Sequence, residues 1–142
     1  MKRPRIVIDT NILVSALRSK RGASYQLLML LDSGLYTPVV SVPLVLEYES
    51  AAKKLLGRIR LSEQDVDAVV DYLCAHAIST GVFYLWRPFL KDAKDDMVLE
   101  AAVASGCSHI VTFNEKDFSG SEQFGVHIVT PQTFLLKIGV RP

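Results

Sequence analysis

The sequence predicts an α/β domain built on a mainly parallel sheet, and three observations carry that prediction. Short β-branched apolar runs, Ile6-Val7-Ile8 and Ile110-Val111-Thr112, lack the alternation of half-buried strands and suit strands covered on both faces. Segments with helical apolar spacing separate such runs. Gly22, Gly34, Gly57 and Gly106, with Pro43 and Pro131, punctuate the junctions.

Taken in order, Ile6 to Ile8 is the first strand and stops at Asp9. Asn11 to Arg18 and Ser24 to Leu31 follow as helices, and Thr37-Pro38-Val39-Val40 as a second strand. Pro43 suits the first turn of a helix running through Leu46, Ala51, Ala52 and Leu55 to end near Gly57. Ser62 with Asp65 resembles a helix start, after which Val66, Val69, Val70 and Leu73 keep helical spacing. Ile78 to Phe83 is a strand candidate, Asp95 to Ala104 a helix ended by Gly106, and Ile110 to Thr112 a buried strand. Val126 to Val129 is the last strand, and Pro131 opens a closing helix with Phe134, Leu135 and Ile138. No strand order follows from the pattern.

The chain has 142 residues and reads as a single domain over residues 1–142, without linker, repeat or low-complexity stretch. With 49% hydrophobic residues it can build a full core without disulfides or a structural metal. Sixteen Lys and Arg against fifteen Asp and Glu exclude a strongly basic nucleic-acid coat and an acidic disordered tail, though not a local basic patch. Cys74 and Cys107 lack CxxC spacing and read as small core residues. Asp9 interrupts the apolar run behind Lys2, Arg3 and Arg5 after three residues, short of the roughly 7–15 of a secretory signal. No stretch reaches the roughly 18 apolar residues of a membrane span. The expectation is a soluble protein of a reducing compartment, most simply the cytoplasm, with no membrane partner.

Acids and amides recur where strands end. Asp9 follows the first strand in IVIDTNIL, and Asn114 and Asp117 follow the strand ending at Thr112 in IVTFNEKDF. Open α/β sheets bind ligands at the carboxyl ends of their strands. Asp92, Asp95 and Asp96 crowd a helix start, and Glu47 follows the apolar stretch Val42 to Leu46. Each has a plainer reading taken alone. Asp9 also suits an N-cap, the three aspartates suit a first helical turn, and Asn114 and Asp117 suit a turn. Their joint occurrence favours a site. Carboxylates meeting at one edge raise each other's pKa unless cations compensate. Hard oxygen ligands of this kind suit one or two Mg²⁺ or Mn²⁺ ions and hydrolysis of a phosphodiester.

IVIDTNILVSAL, SVPLVLEYE, DDMVLEAAVASG and HIVTFNEKDF, in this order and spacing, resemble a PIN domain. The resemblance is closest to the prokaryotic VapC-like ribonucleases, toxins of type II toxin–antitoxin pairs. It implies a three-layer α/β/α sandwich with a central mainly parallel sheet. It also implies a metal-dependent endoribonuclease using water as nucleophile, leaving a 5′-phosphate and a 3′-hydroxyl. By the same resemblance Asp9, Glu47 and Asp96 match the family's first three acids, with Asp9 and Asp96 holding the principal ion. Glu47 then binds an ion or one of its waters. Asn114 stands where the fourth acid belongs, and Asp117, or Asp92 and Asp95, are the candidates to replace it. Asn11 and Thr112 match supporting polar positions. The implied partners are single-stranded or structured RNA, an antitoxin protein and a second copy of the chain.

Arg18, Lys20 and Arg21 after the first helix, and Arg87, Lys91 and Lys94 before the acidic cluster, are candidate phosphate contacts or plain solvated surface. Tyr84, Trp86 and Phe89 read as packing or dimer-contact aromatics, with base stacking as the alternative. His76, His109 and His127 have no partner spacing and read as structural, and Tyr25 and Tyr48 as core or interface residues. Two other functions compete. A haloacid-dehalogenase-type phosphatase needs a second acid two residues after the first, where this chain has Asn11. A catalytically weak RNA- or partner-binding module has Asn114 in its favour.

Overall fold

The computed structural model describes residues 3–81 and 89–141. Five parallel strands form one sheet: β1 (Arg5–Ile8), β2 (Thr37–Val40), β3 (Ile78–Ser79), β4 (His109–Val111) and β5 (His127–Val129). Their order is β3-β2-β1-β4-β5. The helices among the described residues are α1 (Thr10–Arg18), α2 (Ala23–Met29), α3 (Val42–Lys53), α4 (Glu63–His76), α5 (Ala93–Ala104) and α6 (Pro131–Lys137).

Local chemistry starts most of these helices where the sequence predicts. Ser62 accepts from the Asp65 N–H and the Asp65 carboxylate accepts from the Ser62 N–H, a complete capping box for α4. Ser41 and Thr130 cap α3 and α6, each with a proline in the first turn. α5 begins at Ala93, two residues before the expected Asp95, because the Asp92 carboxylate accepts from the Lys94 N–H at 2.9 Å and caps the helix there. Gly106 just past its end takes φ +61°, a conformation open to glycine and strained for most residues. The expected strand Ile78–Phe83 is paired only over Ile78–Ser79, and Val82 and Phe83 lie outside the described residues. Two short 3₁₀ helices, Glu115–Phe118 and Ser121–Phe124, connect β4 to β5, and no apolar period announces them.

Ile6, Val7, Ile8, Val39, Ile110 and Val111 are buried, as strands covered on both faces require. With right-handed crossovers, the returns β1 to β2 to β3 lie on one face and β3 to β4 to β5 on the other. α1 packs on α2 and α3, α3 on α4, and α2 on α6, whereas α5 lies across β1, β2 and β4. The result is a three-layer α/β/α sandwich. Cys107 is buried, Cys74 half-buried, and both are free thiols. Among the described residues no helix is long and apolar enough to cross a membrane.

The strand order positions the site. The chain leaves β1 toward β2 and β3, then returns to β4 on the other side of β1. The carboxyl end of the β1–β4 pair is therefore the switch point at which such sheets form a crevice.

Candidate active site

β1 and β4 run in register, Ile8 beside Val111, and the Asp9 N–H donates to the Val111 carbonyl at 2.9 Å. Asp9 and Thr112, the next residues on each strand, thus emerge side by side. The Thr112 hydroxyl donates to Asp9 Oδ2 at 2.6 Å, and the Thr10 N–H donates to Asp9 Oδ1 at 2.8 Å. Both readings of Asp9 hold at once, since it caps α1 and still borders the crevice. Thr112 Oγ1 in turn accepts the Asn114 N–H at 3.0 Å and the Asn11 side-chain amide at 3.4 Å. One donated and two accepted bonds use the full capacity of that hydroxyl.

A second wall comes from α3. The Tyr48 hydroxyl, fully buried, donates to the carbonyl of Ile8, tying α3 to the end of β1. The neighbouring Glu47 then faces Asp9 across a cavity of about 320 Å³. Asp9, Asn11, Glu47, Asp92, Lys94, Asp95, Asn114 and Asp117 all line it. Asp117 reaches it because the 3₁₀ turn after Asn114 folds the chain back over the strand end.

Asp96 does not line that cavity. It is 2% exposed, and its Oδ1 accepts the Leu90 N–H at 2.9 Å, so its carboxylate braces the entry to α5 from within. Asp95, one residue earlier, lines the cleft. Neighbouring helical positions are rotated by about 100°, so only one of the pair can face a given direction. The adjacent acids in KDDM contain the signal for this position but no local rule for choosing between them.

Lys94, an expected phosphate contact, sits in the cleft with its Nζ 3.5 Å from Glu47 Oε1, the lysine 61% and the glutamate 21% exposed. Arg18, Lys20 and Arg21 stand at or beyond the far end of α1, roughly 13 Å along its axis from Asp9. The helix carries them away from the strand ends, and Lys20 instead borders an apolar groove between α1, α2 and α4. Tyr84, Trp86 and Arg87 lie outside the described residues. His109 and His127 make a ring contact at the amino ends of β4 and β5, remote from the cleft. Burial, with Lys137 and His127 nearby, pushes His109 down to about 4. His76 pairs its Nδ1 with the Tyr72 carbonyl.

The cleft's electrostatics are those of crowded carboxylates. Burial raises the pKa of Asp9, the hydrogen bonds from Thr112 and Thr10 oppose this, and the charges of Asp117 and Glu47 raise it further. Asp95 is pushed up to about 6, first by burial and then by the charges of Asp9, Asp92, Asp117 and Asp96. A hard divalent cation would relieve that repulsion, and the donors are the carboxylate and amide oxygens such ions prefer. Asn11 Oδ1, buried on the cleft wall, has no hydrogen-bond partner and is one such oxygen. As the side chains stand, no three His, Cys, Asp or Glu groups among the described residues close around one ion position.

Fold and site together define a parallel α/β protein with an acid-lined cleft at its switch point. The chain belongs to the PIN domain family, whose model matches residues 5–116. The match spans Asp9, Glu47, Asp95, Asp96 and Asn114 and stops one residue short of Asp117. A solved structure of VapBC2 from Rickettsia felis, bound to a DNA fragment from its promoter, is similar with a TM-score of 0.59. The likeness covers 87% of this chain and 98% of that one at 15% identity, a likeness of fold. No curated protein matches the sequence.

Proposed function

We propose that this protein is a divalent-metal-dependent endoribonuclease, acting as one domain in the cytoplasm and serving as the toxin of a toxin–antitoxin pair. The observation that carries the reading is the meeting of Asp9, Glu47, Asp95 and Asp117 in one cleft at the β1–β4 switch point. Asp9, oriented by Thr112, and Asp95 would hold the principal Mg²⁺ or Mn²⁺ ion, and Glu47, Asp117 and Asn114 would offer a second, weaker position. A bound ion would withdraw charge from the phosphodiester and favour ionisation of the attacking water. The chain's own part is to hold both carboxylates in fixed directions and to gather negative charge where the cation binds. Attack of water on phosphorus breaks the P–O3′ bond, leaving a 5′-phosphate and a 3′-hydroxyl that takes up a proton.

The apolar groove between α1, α2 and α4 supports the partner side of the reading. Leu17, Tyr25, Leu28, Met29, Val69 and Tyr72 are among its lining residues, and Met29 is half exposed. An amphipathic helix of an antitoxin, or of a second copy in a homodimer, buries its apolar face in such a groove. No residue of the Leu44–Leu56 segment lines it.

A catalytically weak binding module is the second reading, favoured by the Lys94–Glu47 pair and by Asn114 in place of an acid. Mg²⁺ and Mn²⁺ calorimetry on the wild type, Asp9→Asn and Asp95→Asn, with cleavage of mixed single-stranded RNA scored alongside, separates the two. Binding and cleavage lost together in both variants support the nuclease. A folded wild type that binds neither ion sinks it and leaves the binding module.

A further inference from the structure

A second cavity, about 380 Å³, adjoins the acidic cleft, and Asp92, Asp95 and Asp117 are the wall that the two share. Phe89, Lys91 and Lys116 also line it. We propose that this cavity seats one unpaired nucleotide of the substrate next to the scissile phosphate. Phe89 would be the stacking surface and the two lysines the phosphate contacts. The proposal rests on the nuclease reading above.

Three features argue for it. The shared wall makes the second cavity the continuation of the first, so a strand with its phosphate among the acids extends directly into it. Its volume lies at the low end for a small-ligand pocket, which suits one nucleotide rather than a duplex. Its lining also adds two cations beside the three shared acids. Apart from the shared acids its charged groups are cations, and both are solvent-exposed and free of the pairing that engages Lys94 with Glu47.

The Phe89 ring is already held in place. It packs edge to face on Phe124 with centroids 5.1 Å apart. Its tip reaches to 3.5 Å from where a Cβ at residue 120 would stand, and that residue is a glycine at φ +90°. A ring fixed beforehand loses little freedom when a base stacks on it. Stacking accepts any base with a free face, so the subsite selects for single strands over duplex and weakly among bases.

The test is fluorescence anisotropy of a short labelled single-stranded RNA of mixed sequence, with Ca²⁺ present, using the full chain. Phe89→Leu is expected to weaken binding roughly tenfold and Phe89→Trp to retain it. Lys116→Ala is expected to lower the slope of log affinity against log salt by about 0.7. The same RNA in duplex form should bind more weakly than the single strand, and Mg²⁺ binding without RNA should be unchanged in both Phe89 variants. Equal RNA binding by wild type and Phe89→Leu, in a protein that cleaves RNA, overturns the subsite and leaves the nuclease standing. A wild type that binds neither Mg²⁺ nor RNA overturns both.

Discussion

Replacing Thr112 with valine removes one hydroxyl from a fully buried position and leaves the side chain's shape nearly unchanged. That hydroxyl donates to the Asp9 carboxylate at 2.6 Å and accepts the Asn114 N–H at 3.0 Å. A hydrogen bond to a charged group contributes about 1.5–3 kcal/mol and a neutral one about 0.5–1.5. The contact with Asn11, at 3.4 Å, adds little. Thr112→Val is thus expected to destabilise the protein by about 2–4 kcal/mol. For 142 residues at about 2.1 cal/mol/K per residue, the melting temperature moves about 3 °C per kcal/mol, giving a fall of about 7–13 °C.

The same substitution acts on the cleft. Thr112 holds the Asp9 pKa down against burial, so its loss raises that pKa further. Asp9 then carries its proton to higher pH, and Mg²⁺ affinity should fall most in mildly acidic solution and recover as the pH rises. Thr112→Ser keeps the hydroxyl and should retain the metal affinity. Thermal denaturation followed by circular dichroism, with Mg²⁺ calorimetry at several pH values, checks both effects. A Thr112→Val protein melting within about 1 °C of wild type, with unaltered Mg²⁺ affinity, would refute the reasoning.

Three further outcomes are expected. Asp95 titrates at about 6 in the fold rather than at its ordinary 3.8. Its ionisation therefore opposes folding, and the metal-free protein should gain stability from this group as pH falls from about 7 toward 4. Asp95→Asn removes that penalty at neutral pH, worth about 1 kcal/mol once solvent screening at this partly exposed group is allowed for. A metal-free denaturation series against pH, in which the two proteins converge near pH 4, checks this. Asp96→Ala leaves the buried Leu90 N–H without its partner and should cost about 1–3 kcal/mol. Its folded fraction should still bind Mg²⁺, whereas Asp95→Ala folds normally and binds poorly, and calorimetry showing the reverse would return the ligand role to Asp96. Lys94→Ala breaks an exposed ion pair, so stability should change by less than about 0.5 kcal/mol. The freed Glu47 should raise Mg²⁺ affinity about threefold, and an unchanged or weaker affinity would show that the pair does not compete with the ion.

Much of this was legible in the sequence because the forces involved are local. β-branched runs marked β1, β2, β4 and β5, apolar spacing marked the helices, and Ser62, Asp65, Pro43 and Pro131 marked three of their starts. Asp9 and Thr112 could be placed at strand ends, and Glu47 on a helix, by the same reasoning. What lay beyond reach was set by contacts distant in sequence. The order β3-β2-β1-β4-β5 brings Thr112 beside Asp9 across 103 residues, and the Tyr48 bond to Ile8 brings Glu47 to the same cleft across about 40. Whether Asp95 or Asp96 faces the cleft depends on how α5 is rotated against β1 and β4, a matter of packing that a pair of adjacent acids does not encode. The sequence by itself determined the elements and the kinds of side chain at the strand ends, since caps and periodicity act within a few residues. Only the tertiary structure decided which acids meet, because that depends on strand pairing and helix docking over the whole chain.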